Sequence, residues 1–241
     1  MRNVIVTGGS RGLGLEVVRH LAEAGYCAVA VARCMNAELA ALIERYKPEL
    51  LPFVPFDLSE IERLPELVKD LHRRFGPIYG LVNNAALGTD GSLAMMPVSQ
   101  IEHLIRINTL SPIVLSKYVV RHMMADGGGR IVNVASITAF TGYAGLSVYA
   151  ATKSAMLGFT RSLAREVGRM GVNVNAVAPG FLDTEMTQTM DTGLREKIAR
   201  RSALKRFVNL ADVSGAIGYL LGDEAKNITG TVLTVDAGAT A

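Results

Sequence analysis

Residues 2–14 read R-N-V-I-V-T-G-G-S-R-G-L-G, and this stretch predicts the fold of the chain. The β-branched run at 3–7 is typical of a buried strand, and the periodic stretch after it is typical of a helix. Between them lie Gly8, Gly12 and Gly14. A strand, a glycine turn and a helix N-terminus place backbone N–H groups where an anion can bind. The stretch therefore predicts an α/β protein with a phosphate-binding turn.

The three glycines have separate predicted roles. Gly8 makes the sharp turn, Gly12 lets the backbone approach a pyrophosphate, and Gly14 lets the helix pack on the strand. Their spacing is G-x-x-x-G-x-G rather than the G-x-G-x-x-G of the usual dinucleotide fingerprint. A simple tight turn is the alternative, so the assignment needs support from elsewhere in the chain.

Predicted strands and helices alternate along the whole chain. Strand patterns occupy residues 3–7, 27–32, 52–56, 79–83, 130–135, 172–177 and 231–235. Helical patterns occupy residues 13–24, 37–47, 60–74, 98–124, 148–169 and 210–221. This alternation predicts a single α/β domain over residues 1–241, with a doubly wound, Rossmann-like parallel sheet of seven strands. In such sheets ligands bind beyond the carboxyl ends of the strands.

Composition narrows the class of protein. A net charge of +3 in 241 residues is too small to argue for nucleic-acid binding. Cys27 and Cys34 have no metal-ligand partners near them in the sequence and suit a reducing compartment. No apolar run approaches the roughly 18 residues of a membrane span, and the first strand leaves no room for a signal peptide. We therefore expect a cytoplasmic protein without membrane, metal or nucleic-acid partners.

Tyr149, Lys153 and Ser136 give the second strong signal. Tyr149 and Lys153 lie four residues apart in V-Y-A-A-T-K, at the predicted start of a helix, so they share one helical face. A nearby ammonium lowers the pKa of a phenol, about 10 when free, towards neutral pH. Ser136 ends the strand R-I-V-N-V-A-S, and its hydroxyl can hold a substrate carbonyl against the phenol. The three side chains predict proton transfer to or from an oxygen.

Asn108 lies inside the helical pattern of residues 98–124, and Pro112 follows it by four positions. Because proline has no N–H, the helical hydrogen bond to the Asn108 carbonyl cannot form. A buried carbonyl without that bond needs another partner, such as a water molecule. The pair predicts an irregular helix at Asn108.

These motifs together resemble the short-chain dehydrogenase/reductase family. In the family's order and spacing, the chain has T-G-x-x-x-G-x-G at 7–14, N-N-A at 83–85, Asn108, Ser136, Tyr149-x-x-x-Lys153 and P-G at 179–180. The resemblance covers residues 2 to about 238. Within the family, S-L-A-R-E-V at 162–167, N-A-V-A-P-G-F-L-D-T-E-M at 175–186 and T-V-L-T-V-D-A-G at 231–238 resemble the 3-oxoacyl-[acyl-carrier-protein] reductases.

The resemblance implies roles for individual residues. The catalytic set that it implies is Asn108, Ser136, Tyr149 and Lys153. It also implies that the carbonyl of Asn108 holds a water linked to Lys153, and that Asp57 lies at the adenine ring of a nicotinamide cofactor. Residues Pro179–Thr184 resemble the segment that holds the nicotinamide and the phosphates.

The end of the second predicted strand bears on the choice between NADPH and NADH. An acidic residue there would accept hydrogen bonds from the ribose hydroxyls, but the strand ends in Ala32 and Arg33. Arg11 adds a second cation, and guanidinium groups suit phosphate. Two solvated arginines are the alternative, but the missing acid favours NADPH. The predicted cofactor site comprises Gly8, Ser10, Arg11, Gly12, Leu13, Gly14, Arg33, Asp57, Leu58, Asn84, Ala85, Tyr149, Lys153, Pro179, Gly180, Leu182 and Thr184.

Residues 182–209 form a long connection that we expect to be a substrate lid. The cations in this connection are Arg195, Lys197, Arg200, Arg201, Lys205 and Arg206. They favour an acyl carrier protein or a CoA-linked 3-oxoacyl substrate as the partner, and a solvated basic helix face is the alternative. A-D-G-G-G at 125–129 and Met170 stand where the carrier reductases have basic residues, which suggests a rearranged docking site or another partner.

The leading interpretation is NADPH-dependent reduction of a 3-oxoacyl thioester in fatty-acid or polyketide-type biosynthesis. A reductase or dehydrogenase of a free ketone or secondary alcohol is the second. A cofactor-sensing binding protein without catalysis is the third, although such proteins typically lack the tyrosine or the lysine, and both are present here. The resemblance further suggests a homotetramer that pairs the helices of residues 98–124 and 148–169.

Overall fold

A parallel seven-stranded sheet forms the centre of the protein, seen in a computed structural model that describes residues 1–88, 91–182 and 192–241. The strands are β1 (Asn3–Thr7), β2 (Cys27–Ala32), β3 (Phe53–Pro55), β4 (Ile78–Asn83), β5 (Gly129–Val134), β6 (Val172–Pro179) and β7 (Val232–Val235). Their spatial order is β3-β2-β1-β4-β5-β6-β7. The order reverses between β1 and β4, where ligands bind in sheets of this kind. The predicted fold class is confirmed.

Helices cover both faces of the sheet. They are α1 (Gly12–Glu23), α2 (Ala37–Tyr46), α3 (Leu64–Phe75), α4 (Val98–Ile105), α5 (Ser111–Ala125), α6 (Ser147–Val167), α7 (Thr192–Arg201) and α8 (Leu210–Leu221). Helices α1, α2 and α8 pack on the face that presents Val4 and Val6. Helices α3, α5 and α6 pack on the face that presents Ile5. Because successive strand residues point to opposite faces, the continuous apolar run of β1 fills both cores.

The single helix predicted at 98–124 is interrupted. Residues Arg106–Leu110 form a π-helical turn between α4 and α5, and the Ser111 N–H donates to the carbonyl of Arg106, five residues back. Pro112 lies in the first turn of α5, where its missing N–H costs least. The prediction of an irregular helix at Asn108 is therefore correct, although one continuous helix was the wrong description.

Other boundaries differ by a few residues. The helix predicted from residue 60 begins with a 3-10 turn at Ile61–Arg63, before the proline in the first turn of α3. Strand β6 continues to Pro179, two residues beyond its predicted end. Helix α7 lies in the connection 182–209, where a helix was named only in the alternative of a solvated basic helix face. Among the described residues, no helix is long and apolar enough to cross a membrane.

Candidate active site

Thr7 joins the glycine turn to the neighbouring strand at the point where strand order reverses. Its hydroxyl donates to the carbonyl of Val82 (3.2 Å) and accepts the backbone N–H groups of Asn84 (3.0 Å) and Ala85 (3.1 Å). The N-N-A segment after β4 is thereby fixed against the end of β1. Sequence reasoning gave Thr7 no role, although it opens the T-G motif.

Gly14 and Gly8 meet in a contact that leaves no room for a side chain. A Cβ on Gly14 would lie 2.0 Å from the carbonyl oxygen of Gly8 and 2.6 Å from Asn84 Nδ2. That amide donates to the carbonyl of Thr7 (2.9 Å). Gly8 itself has a φ of +68°, in the left-handed region that favours glycine. The close packing of helix on strand is what the sequence predicted for Gly14.

The N-terminus of α1 has the features of an anion site. Gly12 has no atom within 4 Å of a would-be Cβ, so the backbone is open on that side. Arg11 stands at the N-cap with its side chain exposed and makes no capping hydrogen bond, and the first turn holds no acidic residue. Free N–H groups and the helix dipole both favour a negative ligand here. Ser10 lies partly buried in the same turn, and Leu13 belongs to the core beneath it. The residues present fit the phosphates of a dinucleotide.

Arg33 and Asp57 lie just beyond the ends of β2 and β3. The Ser59 N–H donates to Asp57 Oδ1 (2.8 Å). This hydrogen bond is the main cause of the lowered pKa of Asp57, and the positive charge of Arg33 contributes. Ala32 ends β2 without a carboxylate, and Arg33 is exposed. Leu58 is buried in the adjoining core. The ends of β2 and β3 therefore carry one cation and one ionised carboxylate, and Arg11 adds a second cation at the glycine turn.

Ser136 and Tyr149 meet at the end of β5. Ser136 begins the 3-10 turn Ile137–Ala139, and its Oγ accepts the Thr138 N–H (3.2 Å). Tyr149 lies in the first turn of α6. Burial raises the pKa of the Tyr149 phenol, and its hydrogen bond with the Ser136 hydroxyl acts in the opposite direction. The phenol is thus held in its protonated form, as a proton donor requires.

Lys153 lies one turn further along α6 and is buried. Its Nζ donates to the carbonyl of Val134 (2.7 Å) and lies 5.8 Å from the centroid of the Tyr149 ring. Burial lowers the pKa of Lys153 to about 8. The expected lowering of the phenol pKa by Lys153 is not found in the protein chain alone. The ammonium is directed at a backbone carbonyl, and desolvation acts on both groups.

Asn108 is tied to the same turn of α6 through Thr152. Its Oδ1 accepts the Leu87 N–H (2.8 Å), and its Nδ2 donates to the Leu87 carbonyl (2.8 Å) and to Thr152 Oγ1 (3.2 Å). The Thr152 hydroxyl donates to the carbonyl of Tyr149 (2.7 Å). The side chain of Asn108 therefore positions the loop after β4 and the helix that carries Tyr149. Sequence reasoning considered only the Asn108 carbonyl and missed Thr152.

The P-G segment lies on the other side of this cluster. Pro179 ends β6, and the Gly180 N–H donates to the carbonyl of Val235 (2.9 Å). Leu182 pairs with Val208 in an isolated parallel bridge. Thr184, also predicted to bind the cofactor, lies outside the described residues.

An aromatic cluster links the connection before α6 to the connections after β6 and α7. The rings of Tyr143 and Phe181 meet edge to face at 5.5 Å, and those of Phe181 and Phe207 at 6.4 Å. The guanidinium of Arg195 lies 5.0 Å from the centroid of Phe207. Sequence reasoning missed this cluster, because its members come from three separate connections.

Comparison with known sequences defines the class of protein. The sequence profile described as short chain dehydrogenase matches residues 2–195. The chain belongs to the short-chain dehydrogenase/reductase family. Two curated relatives are 3-oxoacyl-[acyl-carrier-protein] reductases named FabG. That of Vibrio harveyi is 36% identical over 97% of this chain and 95% of its own length. That of Escherichia coli K12 is 33% identical over 97% of this chain and 95% of its own length.

Solved structures agree with the family assignment. A double mutant of a Serratia marcescens short-chain dehydrogenase/reductase superposes with a TM-score of 0.93 at 30% identity, over 100% of this chain and 98% of that chain. A metagenomic blue fluorescent protein in complex with NADPH gives 0.91 at 31% identity, with the same coverage of both chains. The protein is thus an oxidoreductase of this family that uses a nicotinamide cofactor.

Proposed function

We propose that this protein reduces a 3-oxoacyl thioester, linked to an acyl carrier protein or to CoA, to the 3-hydroxyacyl thioester with NADPH. The observation that carries the proposal is the meeting of Ser136 and Tyr149 next to buried Lys153, at the same carboxyl edge of the sheet as the glycine turn. The names of the FabG relatives support the substrate class. Fatty-acid or polyketide-type biosynthesis in the cytoplasm is the setting in which such a reaction is used.

The chain's own residues supply the proton and its placement. A bound nicotinamide supplies the hydride for the carbonyl carbon. Ser136 hydrogen-bonds the carbonyl oxygen, and Tyr149 donates its phenolic proton to that oxygen as negative charge develops on it. Lys153 provides the positive charge that stabilises the resulting phenolate. Asn108 and Thr152 hold the turn of α6 on which both groups lie.

NADPH is the proposed cofactor because two arginines lie where we expect its 2′-phosphate and no acidic residue ends β2. Arg11 and Arg33 are both exposed at the edge that holds the glycine turn, and Ala32 leaves no carboxylate to repel a phosphate. Asp57 is ionised, because the Ser59 N–H lowers its pKa, but the two arginines outnumber this single carboxylate. A relative of similar fold, at 31% identity, is in complex with NADPH.

Helix α7 and the residues after it support a carrier-linked substrate. Arg200 pairs with Glu196 (3.1 Å), and Lys205 donates to the carbonyl of Arg200 (2.8 Å). Lys197 and Arg201 are exposed on the same helix, as is Arg206 shortly after it. An exposed cationic surface attracts an acidic carrier protein and orients it during encounter.

We also propose a homotetramer. Of the two helical segments expected to pair, residues 98–124 carry large exposed apolar side chains, with Val98 69% exposed, Ile105 47% and Leu110 40%. Burial of such residues between copies of the chain is favourable. Light scattering on the purified protein measures the mass, and a monomer contradicts this part of the proposal.

The test of function is NADPH oxidation with three kinds of substrate. These are a carrier-bound 3-oxoacyl chain, acetoacetyl-CoA and a panel of free ketones. We expect the highest kcat/KM for the carrier-bound thioester. A higher kcat/KM for a free ketone would instead identify a ketone reductase, and NADPH binding without any turnover would identify a binding protein.

A further inference from the structure

The turn that follows β7 is organised by a single carboxylate. Asp236 is 9% exposed, and three donors of its own turn converge on it. The Gly238 N–H donates to Oδ1 (2.9 Å), and the N–H and hydroxyl of Thr240 donate to Oδ2 (2.9 and 2.7 Å). Carboxylates accept stronger hydrogen bonds than neutral groups do, so Asp236 fixes the conformation of residues 236–240.

The backbone of this turn holds the end of α7. The Ala203 N–H donates to the carbonyl of Gly238 (3.2 Å), and the Leu204 N–H donates to that of Ala237 (3.0 Å). Ala237 has a φ of +57°, which residues with a Cβ rarely adopt. The turn therefore depends on the contacts of Asp236 to keep its two carbonyls directed at the α7 end.

Asp236 also packs directly against the P-G segment. A Cβ on Gly180 would lie 2.8 Å from Asp236 Cα, so the two backbones are in close contact. Phe181, the residue after Gly180, contacts the chain that follows α7, because its carbonyl accepts the Val208 N–H (3.0 Å). One turn thus holds the two described segments that flank the candidate site on this side.

We infer that Asp236 is a positioning residue for cofactor and substrate binding. Its carboxylate fixes the turn at 236–240, and that turn keeps Gly180 and the Ala203–Leu204 backbone in place. The inference rests on the proposed function and on two sequence predictions, that Gly180 binds the cofactor and that the connection 182–209 borders the substrate.

The chain offers a graded set of variants. Asp236→Ala removes all three acceptor contacts. Asp236→Asn keeps an oxygen for Gly238 but turns an NH2 group towards the two donors of Thr240, which is unfavourable. Thr240→Val removes one hydroxyl and keeps the side-chain shape. Thr229→Ala is the matched control, because Thr229 Oγ1 accepts the Val174 N–H (3.0 Å) just before the same strand, at its opposite end.

The experiment combines hydrogen exchange with NADPH titration and steady-state kinetics. In Asp236→Ala we expect peptides covering 176–182 and 199–208 to exchange about tenfold faster. The acceptors of Ala203 and Leu204 lie in the turn, and that of Gly180 lies directly before it. NADPH Kd and substrate KM should each rise about fivefold to tenfold, with kcat within about twofold of wild type. Asp236→Asn should lie between Ala and wild type. Thr229→Ala should leave both peptides and the Kd unchanged.

Unchanged exchange in Asp236→Ala overturns the inference, and so does faster exchange with an unchanged NADPH Kd. If Asp236→Ala does not fold, Thr240→Val decides, with an expected rise in Kd of about twofold, and wild-type values for both readouts overturn the inference. Hydrogen exchange requires no substrate. A failure here is therefore distinct from a failure of the proposed function, which shows as absent turnover of 3-oxoacyl thioesters by the wild-type protein.

Discussion

The glycine turn at residues 7–14 and the α7 segment at residues 192–209 lie at the same edge of the sheet, but they are built differently. In the glycine turn, the backbones of Gly8 and Gly14 are in close contact. A Cβ atom on Gly14 would lie 2.0 Å from the Gly8 carbonyl oxygen. In the α7 segment, most of the charged side chains are exposed. Two backbone hydrogen bonds, from Ala203 and Leu204, attach the segment to the turn at residues 236–240.

The two regions differ in how well they tolerate substitutions. The turn leaves no space for a Cβ atom at Gly14, so it accepts few substitutions at that position. An exposed helix can change its charges with little cost to folding, because surface substitutions usually alter stability by about 0.5 kcal/mol or less. Substrate preference can therefore diverge in the α7 segment while the cofactor end is retained.

The largest effect is expected at the buried catalytic cluster. Tyr149→Phe should lower kcat about 1000-fold, because only the transferable proton is lost. NADPH affinity should remain close to that of wild type. Stopped-flow turnover and fluorescence titration measure the two quantities. Retention of more than about a tenth of wild-type activity would show that Tyr149 is not the proton donor.

The glycine turn provides the next largest effect. Gly14→Ala should lower the free energy of unfolding by about 3 kcal/mol and abolish NADPH binding, because helix α1 must move away from β1. Gly215→Ala in α8 is the control, since its Cβ would meet no atom within 4 Å. It should be neutral or stabilise by up to about 1 kcal/mol in urea unfolding. Equal effects of the two variants would contradict the contrast between the regions.

Burial of Lys153 makes the free energy of unfolding depend on pH. Its pKa falls from 10.5 in the unfolded chain to about 8 in the folded protein. Between these values only the unfolded chain holds the proton, so this residue makes unfolding less favourable as pH rises. From pH 7.5 to 10 the titration of Lys153 should raise the free energy of unfolding by about 2 kcal/mol. Urea unfolding of Lys153→Met across this range should lack that increase, and a wild-type slope in the variant would contradict the shift.

The cofactor edge can be altered without touching the glycines. Ala32→Asp should move the ratio of kcat/KM for NADPH over NADH about tenfold towards NADH, because the new carboxylate repels a 2′-phosphate. Arg33→Ala should act in the same direction through loss of a cation. Initial rates with each cofactor at saturating substrate measure the ratio. If neither variant changes it, the phosphate is recognised elsewhere.

The smallest effect is expected in the α7 segment. Lys197→Glu and Arg201→Glu together should raise KM for a carrier-bound substrate about fivefold at low salt, and less at higher salt because the charges are screened. KM for a small ketone and the melting temperature should stay unchanged. Lys69→Glu, an exposed cation on α3, is the control. An equal response of carrier-bound and free substrates would identify the basic residues as a solvated face.

The sequence by itself determined the doubly wound sheet and the residues at its carboxyl edge. Strand and helix periods differ, and glycines mark the turn at which β1 passes into α1, so local pattern was sufficient. Asn108 and Pro112 predicted the break in the helix for the same reason, since a missing N–H is a local property of the chain. Thr152 and the α7 helix gave no comparable local signal.

Only the tertiary structure decided the electrostatics and the supports of the site. Sequence spacing placed Lys153 beside Tyr149, but burial is the main cause of both pKa shifts, and only the hydrogen bond with Ser136 opposes the shift of Tyr149. Asp236 and the aromatic cluster around Phe181 depend on contacts between segments far apart in the chain. Such contacts follow from how the elements pack, because desolvation and hydrogen bonding act between whichever groups the fold brings together.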